Sequence, residues 1–123
     1  MLVASFNPGY QKGFRELKPS TRQRFVALSF DYPEADTERS ILEAESGLDA
    51  DTAGKLVAIG RKIRNLTELG LAETVSTRLL VDAAKLIQSG LPKRLAVNVA
   101  VVEPLTDDPQ TLQALRDLTG LMI

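Results

Sequence analysis

The stretch that decides the fold is residues 2–33, LVASFNPGYQKGFRELKPSTRQRFVALSFDYP. It holds two short apolar runs, residues 2–6 and 26–30, with a polar segment between them. The first run ends in Asn-Pro-Gly and the second in Tyr-Pro, and such punctuation is typical of short buried strands that end at turns. The stretch therefore predicts two strands of an α/β fragment, which ends at Pro33.

The residues after Pro33 repeat the apolar spacing of several short amphipathic helices. Glycines at 47, 70 and 90 are placed to end helices, while Asp49 or Asp51, Ser76 and Asp108 are placed to begin them. Residues 95–102 are apolar nearly all round and suit a central helix or a strand, of which we favour the helix. The fold class predicted is mainly α, a small helical bundle over residues 34–123.

Composition excludes several classes of function. The 123 residues include no Cys and no His, which excludes disulfides, thiol nucleophiles, a Ser-His-Asp triad and Cys/His zinc sites. A net charge of -1, two Tyr, four Phe and no Trp argue against a nucleic-acid partner. The apolar runs are too short for a membrane span, and no signal-peptide pattern is present, so cytoplasm is the expected location.

Asn7 is the first candidate site residue. It follows a predicted strand, and ligands bind at the carboxyl ends of strands in open α/β sheets. Its neutral amide can bond a phosphate oxygen or hold an attacking water. The alternative is a turn-forming Asn before Pro-Gly, which is the better interpretation of this motif taken alone.

Three arginines are the other candidates. Arg22 and Arg24 carry guanidinium groups, which match phosphate oxygens in bidentate fashion. An arginine supplied across a subunit boundary can act as an arginine finger in phosphoryl transfer. The alternative is two solvated side chains. Arg78 lies in the predicted first turn of a helix after Ser76, where a cation is disfavoured by about 0.3–1 kcal/mol. A phosphate would offset that cost, and so would an ion pair with a carboxylate such as Glu73.

Phosphate-binding loops and charge runs add little. The sequence has no G-x-x-x-x-G-K-[ST] motif, because Gly54-Lys55 lacks the leading glycine. Residues 99–103 imitate a Walker B strand, but they lack the paired acid and lie in the helical part. The charge runs 31–39 and 61–64 are interpreted as solvated helix faces.

Taken together, the motifs resemble one family. Asn-Pro-Gly-Tyr-Gln at 7–11, Leu-Lys-Pro-Ser-Thr-Arg-Gln-Arg-Phe at 17–25 and Phe-Asp-Tyr-Pro at 30–33 resemble the CbbQ/NirQ/NorQ family of MoxR-type AAA+ ATPases. Ser-Thr-Arg-Leu-Leu at 76–80 and Pro-Leu-Thr-Asp-Asp-Pro at 104–109 resemble that family's C-terminal region. The resemblance covers nearly the whole chain.

The resemblance implies a role for each candidate residue. Asn7 would be sensor 1, Arg24 the arginine finger with Arg22 as second candidate, and Arg78 sensor 2. Residues 1–33 would be the C-terminal remnant of the AAA+ core, and residues 34–123 the helical lid. No metal-ligating residue is expected in the chain.

The resemblance also implies a longer parent protein. Such a parent would bind ATP and Mg, form a homo-hexameric ring and activate a target enzyme such as nitric oxide reductase or Rubisco. It would work with a von Willebrand factor A-type partner. Because this chain lacks Walker A and Walker B motifs, we expect a C-terminal fragment that binds no cofactor and is inactive alone. The competing hypothesis is a non-enzymatic helical protein-interaction module; a nucleic-acid adaptor using residues 61–64 is weaker.

Overall fold

The computed structural model of this chain describes residues 1–5, 18–66, 71 and 74–123, and these residues are mainly helical. The chain divides into two units, Met1–Asp31 and Tyr32–Ile123. The first unit contains α1, Pro19–Arg22, a single turn with proline at its first position. A proline there costs no hydrogen bond, since the first turn's N–H groups have no partner within the helix.

The two predicted strands are wrong for the described residues. Neither residues 2–5 nor residues 26–30 form a strand, and residue 6 lies outside the described residues. The side chains of Val26, Leu28 and Phe30 are 94%, 77% and 89% exposed. A strand takes its hydrogen bonds from a neighbouring strand, and the described part of the chain offers none. The apolar pattern alone therefore does not produce a strand here.

The second unit is a helical bundle, as predicted. Its α-helices are α2, Ala35–Ser46; α3, Ala50–Arg64; α4, Thr77–Gln88; α5, Lys93–Val97; and α6, Pro109–Met122. A π-helical turn, Asn98–Val102, and a 3-10 turn, Glu103–Leu105, follow α5. The ambiguous residues 95–102 are therefore helical, although no sequence pattern indicates the π turn. None of the helices described is long and apolar enough to cross a membrane.

Side-chain caps and a left-handed glycine set the helix boundaries. The side chains of Asp49, Ser76 and Asp108 each accept a hydrogen bond from the backbone N–H three residues further on. Gly47 ends α2 with φ of 75°, a conformation that glycine adopts without strain. Of the two caps proposed for α3, the structure uses Asp49.

The core is formed by the apolar faces of α3 and α4 together with α2, the π turn and α6. Its largest fully buried apolar side chains are Leu42, Leu56, Ile59, Ile63, Leu80 and Leu115. Gly60 of α3 lies so close to α4 that a Cβ built on it would be 2.8 Å from Cδ1 of Leu80. This close packing brings the end of α3 near the start of α4.

Candidate functional site

The four predicted site residues fall in different parts of the chain. Asn7 lies outside the described residues. Arg22 is the last residue of α1 and Arg24 follows it by two positions, both exposed in the first unit. Arg78 is the second residue of α4, in the second unit, and it is also exposed. The structure thus keeps Arg22 and Arg24 together at the end of one turn.

Arg78 lies at the positive end of a helix dipole. The hydroxyl of Ser76 accepts the N–H of Leu79 at 3.3 Å, which satisfies one of the free donors of the first turn. Among the residues that the structure describes, the N–H groups of Thr77 and Arg78 and the Arg78 guanidinium have no hydrogen-bond partner, and such groups suit an anion. The alternative partner, Glu73, lies outside the described residues. This end of α4 is therefore suited chemically to a phosphate group.

A buried ion pair lies beside the start of α4. Glu38 of α2 is fully buried, and the Arg64 side chain at the end of α3 is 8% exposed. Arg64 Nη1 donates to Glu38 Oε2 at 2.9 Å, and Arg64 Nη2 donates to Glu38 Oε1 at 2.6 Å. This bidentate geometry is the strongest that an arginine and a carboxylate form. It joins two helices across 26 residues of sequence.

The same pair is bonded to the residues that lead into α4. Thr77 Oγ1 donates to Glu38 Oε1 at 3.0 Å, and Arg64 Nε donates to the carbonyl oxygen of Val75 at 2.8 Å. The ring of Tyr32 lies 3.9 Å from Arg64 Cζ, within the range of a cation–π contact. We call Glu38, Arg64 and Thr77, with the Val75 carbonyl, the Glu38 clamp. It restrains Val75 and Thr77, and with them the three residues that precede Arg78.

The Glu38 clamp was not predicted from the sequence. Both charge runs were interpreted as solvated faces, and this is wrong for Glu38 and Arg64. A signal was present, because Arg64 continues the buried stripe through Val57 and Gly60 at helical spacing. Glu38 precedes the buried Leu42 by one helical turn. Two opposite charges on apolar stripes indicate a buried pair.

A second polar cluster ties the π turn to α6. Arg116 Nε donates to Asn98 Oδ1 at 2.9 Å, and the Arg116 guanidinium pairs with Glu103. Arg94 donates to the carbonyl oxygens of Gly120 at 3.1 Å and Ile123 at 3.3 Å. Arg94, Asn98 and Arg116 line a surface groove, and Arg94 is already bonded to the C-terminal carbonyls of α6. The cluster therefore holds α6 in place.

The described residues do not form a metal centre. Among them, no group of three acidic, His or Cys side chains lies close enough together to hold a metal ion. Carboxylates occur as helix caps or in ion pairs, as at Asp49 and Glu38.

Comparison with known proteins places this chain in a family. The family model for the CbbQ/NirQ/NorQ C-terminal region matches residues 38–122. The denitrification regulatory protein NirQ of Pseudomonas aeruginosa is 53% identical over 123 residues, which are 100% of this chain and 47% of that protein.

Two further relatives cover nearly as much of the chain. Protein NorQ of Paracoccus denitrificans is 53% identical over 120 residues, 98% of this chain and 44% of the relative. Protein CbbQ of Hydrogenophilus thermoluteolus is 49% identical over 115 residues, 94% of this chain and 43% of the relative. The chain thus spans less than half the length of these curated relatives.

Proposed function

Because this chain belongs to the CbbQ/NirQ/NorQ family, we propose that it is the C-terminal part of an AAA+ ATPase that activates or remodels a target enzyme. The observation that carries the proposal is the 53% identity to NirQ over all 123 residues. That relative is named as a regulatory protein, and a more distant one, BssE of Thauera aromatica, as a putative chaperone, 28% identical over 115 residues. The target proposed is an enzyme such as nitric oxide reductase or Rubisco.

We assign Arg78 the role of sensor 2 in the lid, over residues 34–123. Its guanidinium is exposed at the N-terminal end of α4, where backbone N–H groups and the helix dipole also favour an anion. These residues fit the phosphates of ATP. No group of three acidic, His or Cys side chains lies together among the described residues, and we assign none of them to Mg. Bound ATP would supply the phosphoryl group whose transfer to water drives the activation.

Arg24 is proposed as the arginine finger, with Arg22 as the second candidate. Both side chains are exposed at the end of α1, so each is accessible to a neighbouring molecule. An arginine supplied to a neighbour's ATP stabilises the charge that develops on the transferred phosphoryl group. This role requires copies arranged in a ring, for which we propose a homo-hexamer with a von Willebrand factor A-type partner. Asn7 is proposed as sensor 1.

The finger assignment is tested in the full-length protein by Arg24→Ala. We expect ATP hydrolysis to fall by about 10³-fold or more, while ATP affinity stays within a few-fold of wild type, because the finger acts on the neighbouring subunit's ATP. Arg61→Ala is the matched control, an exposed arginine of α3. Phosphate release measures hydrolysis, and calorimetry measures affinity.

Two outcomes would overturn these assignments. Normal hydrolysis in both Arg24→Ala and Arg22→Ala proteins would remove the arginine finger from this segment. A full-length protein that neither binds nor hydrolyses ATP would overturn the ATPase function. It would leave the helical interaction module as the better account of the chain.

A further inference from the structure

The Glu38 clamp forms hydrogen bonds with residues at the start of α4. Two of its bonds end on the residues just before Arg78, at the Val75 carbonyl and the Thr77 hydroxyl. The first turn of α4 already has its cap in Ser76, so the Thr77 bond is not needed for capping. What it adds is a fixed rotation of the first turn about the helix axis.

Burial makes this arrangement costly. A buried ion pair often contributes no more to stability than apolar side chains of similar volume, because both charges lose their hydration. Glu38 is nevertheless fully buried and accepts three hydrogen bonds, two from Arg64 and one from Thr77. A group satisfied in this way holds its partners in one geometry. Here that geometry includes the residue directly before Arg78.

We infer that Thr77, held by the buried Glu38–Arg64 pair, is a positioning residue that orients Arg78 toward the phosphates of ATP. This inference rests on the proposed function, in which Arg78 contacts the nucleotide. Thr77 does not touch ATP itself. Its hydroxyl fixes the first turn of α4, and the turn fixes the direction in which the Arg78 side chain leaves the backbone. The backbone of Arg78 is thereby fixed before ATP binds, which lowers the entropy lost on binding.

The test is a double-mutant cycle in the full-length protein with ATP as the ligand. Thr77→Val removes the hydroxyl and leaves the two Arg64–Glu38 bonds intact. We expect it to raise the Kd for ATP by about two- to 150-fold, the range of coupling between residues that share a network. Thr77→Ser restores the hydroxyl and is expected to restore affinity. Combining Thr77→Val with Arg78→Ala should weaken binding no further than Arg78→Ala alone.

Thr111→Val is the matched control. Thr111 Oγ1 also donates to a carboxylate at a helix start, Asp108 Oδ2 at 2.6 Å, but in α6. The same chemical change there should leave ATP affinity unchanged. Circular dichroism melting establishes that each variant is folded, and Thr77→Ala replaces Thr77→Val in the cycle if the latter does not fold.

The outcomes separate this inference from the proposed function. Additive losses from Thr77→Val and Arg78→Ala would overturn the positioning role while leaving Arg78 as sensor 2. Normal affinity in Thr77→Val beside weakened affinity in Arg78→Ala would do the same. If Arg78→Ala changes neither ATP binding nor hydrolysis, both the inference and the sensor 2 role are wrong.

Discussion

Replacing Glu38 by alanine should cost this bundle a large part of its stability. The change leaves the Arg64 guanidinium, 8% exposed, without the carboxylate that accepts two of its hydrogen bonds. It also leaves the Thr77 hydroxyl without its acceptor. Arg64 keeps only its bond to the Val75 carbonyl and its contact with the Tyr32 ring. A nearly buried positive charge is then unpaired.

The expected loss is about 3–5 kcal/mol in the free energy of unfolding, the cost of removing one partner of a buried ion pair. With a urea m-value of about 1.5 kcal/mol/M, the unfolding midpoint should fall by about 2–3 M. Glu38→Leu combined with Arg64→Met should lose less than Glu38→Ala alone, because it leaves no unpaired charge in the interior. A smaller loss of stability in the double variant than in Glu38→Ala would show that the unpaired charge, and not the lost packing, causes the destabilisation.

Urea unfolding of the 123-residue chain, followed by circular dichroism, measures these midpoints. Glu45→Ala is the matched control, the same substitution at an exposed position of the same helix. Its effect should stay within about 0.5 kcal/mol. If Glu38→Ala shifts the midpoint no more than Glu45→Ala does, the ion pair makes no net contribution and the reasoning fails.

Two further predictions concern α3. Gly60→Ala should destabilise the bundle by about 1–3 kcal/mol, because its Cβ would lie 2.8 Å from Cδ1 of the fully buried Leu80. Gly54→Ala, whose Cβ would meet nothing nearer than 3.8 Å, should be neutral or stabilising by up to about 1 kcal/mol; equal urea midpoints for the two variants would contradict this packing. Hydrogen bonds from the backbone N–H of Thr52, and then from its hydroxyl, lower the pKa of Asp49 from its ordinary value of 3.8. The stability from this carboxylate is therefore present above that value and is lost as pH falls through the lower native pKa. Asp49→Ser, which caps without titrating, should flatten the fall in urea midpoint below about pH 4, and an unchanged acid slope would rule out the contribution.

The helices were predictable because their determinants are local. A helix forms its hydrogen bonds within one segment, so apolar spacing and end signals suffice to locate it. Asp49, Ser76 and Asp108 begin helices and Gly47 ends one, as the sequence indicates. The π turn was not predictable, since one extra residue per turn leaves no mark in so apolar a segment as residues 98–102.

The strands and the Glu38 clamp depend on partners distant in the sequence. An apolar run such as residues 26–30 predicts burial, but a strand also needs a neighbouring edge, and the described residues supply none. The Glu38–Arg64 pair joins positions 26 residues apart, so counting charges along each helix describes both groups as solvated. Their positions on the apolar stripes indicate that both charges face inward, but only the packing of α2 against α3 shows that the two groups meet.

Two free-energy terms act on the first turn of α4, the repulsion between Arg78 and the helix dipole and the stabilisation from the Glu38 clamp. A cation in the first turn of a helix is disfavoured by about 0.3–1 kcal/mol. Removing one partner of the Glu38–Arg64 pair is expected to cost about 3–5 kcal/mol in the free energy of unfolding. This exceeds the repulsion, so the intact clamp keeps the turn in place. The repulsion itself stays uncompensated within the turn, where Ser76 supplies only a neutral hydroxyl as cap. In the proposed role of Arg78, a bound phosphate would relieve it and would meet N–H donors that are already oriented. If Arg78 has the proposed role, the affinity for an anion at this point depends on the clamp, although none of the clamp's side chains needs to contact the ligand.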